Sequence, residues 1–160
     1  MRLQSSQAAC GRAACSNALK ALGVDVSEQQ IDKLLKEIKK VGDEHAADGT
    51  GADTMARALA KAPRYWGIRA PRLVASHDPS MACAVLRGLL TGGSVVVLAV
   101  DLDAHWIAVI GAVGDRFLVC DAADDELVLS YSEDEMVSRW ASESSPHGPL
   151  YSGLAIRRKK

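Results

Sequence analysis

The chain has 160 residues, with 19 Lys and Arg against 20 Asp and Glu and a formal net charge of -1. A charge so close to zero gives no reason to expect nucleic acid or an anionic membrane as partner, and no stretch approaches the roughly 20 apolar residues of a membrane span. Its cysteines, Cys10, Cys15, Cys83 and Cys120, are spread too widely for a dense disulfide framework or for the close Cys/His pairs of a zinc site, so no metal or cofactor is expected.

A chain of this length can bury a core of its own, and residues 1–160 are expected to form a single domain. The opening Met1-Arg2-Leu3-Gln4 lacks the apolar region of a signal peptide. A cytoplasmic location is therefore expected, whether the chain is free-standing or cut from a larger protein. The basic run Arg157-Arg158-Lys159-Lys160 is short and reads as a solvated terminus.

The stretch from Gln4 to Leu19 reads as a short polar loop running into a helix. Ala13, Ala14, Ala18, Leu19 and Leu22 supply a narrow apolar side, and Gly23 stands where the helix should stop. Cys10 thus falls at or near the helix N-terminus, where unpaired amides and about half a positive charge favour a thiolate. Cys15 lies deeper in the helix and reads as core. Ser27 with Gln30 makes a capping box. Ile31, Leu34, Leu35, Ile38 and Val41 then repeat with a helical period and predict a second amphipathic helix, with Lys33, Lys36, Lys39 and Lys40 on or near its wet side.

Residues 42–51 are polar and glycine-containing and predict a surface loop with an exposed His45. Thr50 or Asp53 can cap a third helix lined by Met55, Leu59 and Ala62 and ending near Pro63. After the connector Tyr65-Trp66-Gly67-Ile68, Arg72-Leu73-Val74-Ala75 predicts a short strand. Asp78-Pro79 opens a fourth helix through Met81, Val85, Leu86 and Leu89, with Cys83 as a buried, inert thiol.

The second half changes character. Ser94 to Val100 is a nearly continuous β-branched run and predicts a central strand buried on both faces. His105 to Ala112 and Arg116 to Cys120 are two more such runs, and the short link Val113-Gly114-Asp115 marks a hairpin between them. Glu126 to Ser130 predicts another strand. Ser132 with Glu135 is a second capping box, opening a short helix through Met136, Val137 and Trp140, and Tyr151 to Arg157 can close the sheet. A helical first half and an antiparallel second half make the class α+β.

The order Cys10, His105, Asp121 is one in which a Cys–His–Asp triad can be written. More of the sequence agrees with it. Gln4 stands six positions before Cys10, and Cys10-Gly11-Arg12-Ala13-Ala14 opens the helix. His105-Trp106-Ile107-Ala108-Val109-Ile110-Gly111 is followed by Gly114-Asp115-Arg116-Phe117-Leu118-Val119-Cys120-Asp121. In these blocks and their intervals the chain resembles the papain-like cysteine peptidases, and within them the bacterial, bacteriocin-processing type that cleaves double-glycine leader peptides. The resemblance covers essentially the whole chain. One departure is Arg12, where many relatives carry proline; its charge could favour the thiolate or read a substrate carboxylate, or it could simply face solvent.

The resemblance implies a papain-like fold with the nucleophile at a helix N-terminus packed on the sheet. It implies Cys10 as nucleophile, His105 as its base and later the acid, Asp121 as the group orienting His105, and Gln4 as an oxyanion donor. The partner would be a peptide or protein substrate, hydrolysed through a thioester. The same residues would also serve an amidase, a deamidase or an acyl or isopeptide transferase, and some papain-like domains are non-catalytic binding or assembly modules. The acidic run from Asp121 to Glu126 lacks the spacing and glycine of a calcium loop; Asp124 and Asp125 are rivals to Asp121.

Overall fold

The run Val95–Val100 is buried at every position, and the molecule is layered around it. The computed structural model describes residues 7–39, 52–101, 105–121, 128–145 and 148–159. Its elements in chain order are α1 (Gln7–Ala21), α2 (Glu28–Lys39), α3 (Ala52–Ala60), a 3₁₀ turn (Arg64–Trp66), β1 (Arg72–Ser76), α4 (Pro79–Thr91), β2 (Val95–Val100), β3 (His105–Val113), β4 (Arg116–Cys120), β5 (Leu129–Ser132), α5 (Glu133–Trp140), β6 (Ala141–Ser145) and β7 (Gly148–Ile156). The strands form one sheet in the order β1-β7-β2-β3-β4-β5, with β6 paired to β7. Every pairing is antiparallel, and the class is α+β as expected.

Side chains alternate across a strand, and β2 uses both directions. Val95, Val97 and Ala99 share one buried cluster with Cys15 and Leu19 of α1, Ile31 and Leu35 of α2, and Met55 and Leu59 of α3. Val96, Leu98 and Val100 meet α4 and α5 through Leu86, Met136 and Trp140. A strand with no polar side needs a cover on each face, and each large apolar side chain so buried contributes roughly 1.5–3 kcal/mol. The helical first half is therefore divided: α1 to α3 cover one face and α4 crosses to the other.

The caps predicted at Ser27, Asp78 and Ser132 form, whereas Asp53 lies inside α3 and does not precede it. Ser27 N–H donates to Gln30 Oε1 at 2.8 Å, and Gln30 N–H returns to Ser27 Oγ at 3.3 Å. Asp78 Oδ1 accepts from the amides of Ser80 and Met81, with Pro79 in the first turn. Ser132 and Glu135 exchange the same pair of bonds at 3.3 and 3.2 Å. Gly114 takes a φ of 61° at the first position of the two-residue hairpin loop, where glycine is the residue that fits.

Some boundaries differ from expectation. The strand expected at Glu126 to Ser130 is β5, Leu129–Ser132; residues 126 and 127 lie outside the described residues, as do His45, Val41 and Thr50. β6, with the sequence ASESS, has no apolar alternation to announce it and forms because β7 offers a partner. β7 does not close the sheet at an edge but lies between β1 and β2.

Gly153 explains how β7 fits there. A Cβ at this position would meet Leu98 Cδ2 at 2.6 Å and the Val97 carbonyl oxygen at 3.0 Å. Gly153→Ala is expected to fold with a loss of about 1–3 kcal/mol from overpacking, read as a lower denaturation midpoint in urea; an unchanged midpoint would show that β2 and β7 can move apart freely.

Candidate active site

His105 is the first residue of β3, opposite Val100, the last of β2. Asp121 directly follows β4. Because β3 and β4 run antiparallel, with Ala108 opposite Cys120, the start of one strand and the end of the other meet at the same rim of the sheet. There His105 Nε2 and Asp121 Oδ1 are 2.6 Å apart, with the residues only 8% and 7% exposed. A carboxylate accepts, so Nε2 carries the hydrogen of this bond, and Nδ1 is the ring nitrogen left to act on a substrate or a thiol. Nδ1 has no hydrogen-bond partner among the described residues.

The other carboxylate oxygen is also engaged. Arg139 Nη1, from the last turn of α5, donates to Asp121 Oδ2 at 3.1 Å. The same guanidinium donates to Asp101 through Nε at 3.2 Å and Nη2 at 2.7 Å, and Nη1 also donates to the Tyr131 hydroxyl at 2.7 Å. These partners, Asp101 foremost, hold the guanidinium firmly in its charged form. Nothing in the sequence singled out Arg139. It is one arginine in a short polar helix, and its two carboxylate partners lie 38 and 18 residues away in sequence.

The direction of α1 is fixed by its far end. Arg158, just past β7, donates to the Leu22 carbonyl at 3.2 Å, beyond the last turn of α1. Ile156 of β7 lies opposite Val95, the first residue of β2. The C-terminal end of α1 is thus at the end of the sheet where β2 begins, opposite the His105 rim. α1 lies against β2 and β3 through Cys15, Leu19, Trp106 and Ala108. With 15 residues it is about 22 Å long, enough to carry its first turn to the His105 rim. His105 and Asp121 continue the alternation of Ile107, Val109, Phe117 and Val119, the α5 side of the sheet. The pair therefore stands at the rim with α5 on its own side and α1 on the other.

Cys10 belongs to the first turn of α1; its side chain, and Gln4 as a whole, lie outside the described residues, as do Asp124 and Asp125. The helix opens at Gln7, so Cys10 closes the first turn rather than starting it. Arg12 is half-buried and does not simply face solvent: its Nη1 lies 2.7 Å from Asp32 of α2. Lys36 and Arg12, Lys36 contributing most, hold the Asp32 carboxyl below its ordinary range.

The other three thiols are poorly suited to attack. Burial pushes Cys15 up to about 12 and Cys83 up to about 11, and it raises Cys120 as well. A thiol is a nucleophile only as its thiolate, which leaves Cys10 as the candidate.

Two solved structures share this architecture. One is a double-glycine motif protease from an AMS/PCAT transporter in complex with the leader peptide, at a TM-score of 0.58 and 14% identity, covering 99% of this chain and 90% of that one. The other is the peptidase domain of Streptococcus ComA, a bifunctional ABC transporter of a quorum-sensing pathway, at 0.58 and 17%, covering 98% and 96%. This chain has the fold of the double-glycine peptidase domains. No family model and no curated protein matches the sequence, so the likeness to these peptidase domains is one of fold, as the two blocks around Cys10 and His105 implied. Among the described residues no helix is long and apolar enough to cross a membrane.

In the folded protein at neutral pH, iodoacetamide is expected to leave Cys15 and Cys83 unmodified and to reach them only after denaturation. Peptide mapping by mass spectrometry reads this; alkylation of either in the native state would contradict thiols raised this far by burial.

Proposed function

We propose that this chain is a thiol peptidase that releases a leader segment from a peptide substrate at a double-glycine site. In this reading it works as a single domain in the cytosol. The observation that carries the proposal is the buried 2.6 Å contact between His105 Nε2 and Asp121 Oδ1, at the rim towards which the first turn of α1 runs. The shared fold of two peptidase domains, one of them in complex with a leader peptide, supports the choice of substrate class.

The chemistry follows from that pair. His105 Nδ1 takes the proton of the Cys10 thiol, and Asp121 balances the imidazolium charge through Nε2–H. The thiolate attacks the carbonyl carbon of the scissile bond. The Gln4 amide and the free amides at the start of α1 hold the oxyanion; one such donor is worth about 10²–10³ in rate. The imidazolium gives its proton to the leaving amine, which departs and leaves a thioester. Water, activated by the same Nδ1, hydrolyses the thioester and restores the thiol.

The test is a synthetic leader peptide with a Gly-Gly site, followed by mass spectrometry. Cleavage after the second glycine is expected, with no turnover by Cys10→Ala or His105→Ala. Asp121→Asn is expected to keep substrate binding and lose rate by about 10²-fold or more, because an amide can present the wrong hydrogen-bonding partner to Nε2–H. Turnover that survives Cys10→Ala would refute the mechanism, and a single amide-to-acid mass change without chain cleavage would replace the peptidase with a deamidase.

A further inference from the structure

One side chain joins the two segments that deliver His105 and Asp121 to the rim. Asp101 directly follows β2, four positions before the start of β3, and has a φ of 53°, a left-handed conformation that a residue with a Cβ adopts at a cost unless its surroundings hold it. Arg139 supplies that hold twice over. Its side chain forks onto both Asp101 carboxylate oxygens, and its carbonyl accepts the Asp101 amide at 2.7 Å. From the same guanidinium, Nη1 reaches Asp121 Oδ2. Thus one planar group fixes the residue from which the chain departs towards His105, and also the carboxylate that receives the His105 Nε2–H. An arginine can do this because its donors are spread over a rigid fork; a lysine offers one point charge.

We propose that Arg139 is a positioning residue for the His105–Asp121 pair, clamping Asp121 and Asp101 together so that the imidazole is held with Nδ1 free. This rests on the peptidase reading for its catalytic meaning, though its geometric content stands without it. Asp121 is nearly enclosed, with the imidazole at one oxygen and the guanidinium at the other. Without Arg139 the carboxylate loses the guanidinium on Oδ2, and the acceptor of the Nε2–H is held less firmly. Arg139 touches no substrate atom in this scheme and acts only through Asp121 and Asp101.

The experiment pairs a spectroscopic readout with kinetics on the full chain. The Nε2–H of an imidazole bound to a buried carboxylate gives a far-downfield proton resonance, assigned here by its loss in His105→Ala. It is expected in the wild type, absent in Arg139→Gln, and broadened in Arg139→Lys, which also guards against a glutamine variant that fails to fold. On the Gly-Gly peptide, kcat is expected to fall at least 10-fold in Arg139→Gln with KM within about twofold, and Arg139→Lys to recover only part of it. Gly153→Ala, destabilised away from the rim, should keep the resonance and kcat. The proposal is overturned if the wild type lacks the resonance, if Arg139→Gln retains it, or if lysine restores both readouts fully. If the wild type cleaves no peptide, the peptidase reading falls, and the resonance alone decides the role of Arg139.

Discussion

A strand that is apolar in both directions dictates where chemistry can occur in this protein. β2 is enclosed above and below, so neither face of the sheet centre has room for a polar group that lacks a partner. Burying an unpaired polar group costs on the order of 1–3 kcal/mol. Polar side chains can gather where strands stop, because there the layers open and loops begin. His105 and Asp121 both occupy strand ends, and both are at the same rim because β3 and β4 are antiparallel neighbours. Their sixteen-residue separation in sequence is the length of β3, a two-residue loop and β4.

Closing a carboxylate into such a rim is costly unless each of its oxygens is answered. Asp121 meets an imidazole on one side and a guanidinium on the other. The arrangement separates two jobs: Arg139 balances charge while His105 holds the proton. A carboxylate facing only a histidine would have to do both with one contact. α5 matters to the site for this reason. It covers the apolar face through Met136 and Trp140 and brings Arg139 to the rim in its last turn, so packing and electrostatics come from the same eight residues.

Much of this was legible in the sequence, for reasons that can be named. The capping boxes at Ser27 and Ser132 and the cap at Asp78 were readable because a cap is a local bond between residues three or fewer apart. β2 was readable because an unbroken β-branched run has one comfortable fate. The pairing of His105 with Asp121 was suggested by order and interval together with a family resemblance. Three things were not legible. Arg139 acts through contacts with Asp101, Asp121 and Tyr131, which no spacing rule connects. β6 is strand only by virtue of its neighbour. The engagement of Arg12 by Asp32 depends on how α2 folds back along α1.

β7 is the last strand in chain order, yet it lies inside the sheet, pairing with β1 on one side and β2 on the other. A ribosome makes the chain from its N-terminus, so everything before β7 emerges while β1 has no neighbour and β2 shows one bare edge. The earlier hairpin of β3 and β4 is local and can form at once, whereas the junction to β1 must wait. Contacts that span so much of the chain are slow to close, and an unpaired apolar edge is a point of self-association in the meantime. The sheet is thus complete only once its last strand lies between two that come earlier in the chain.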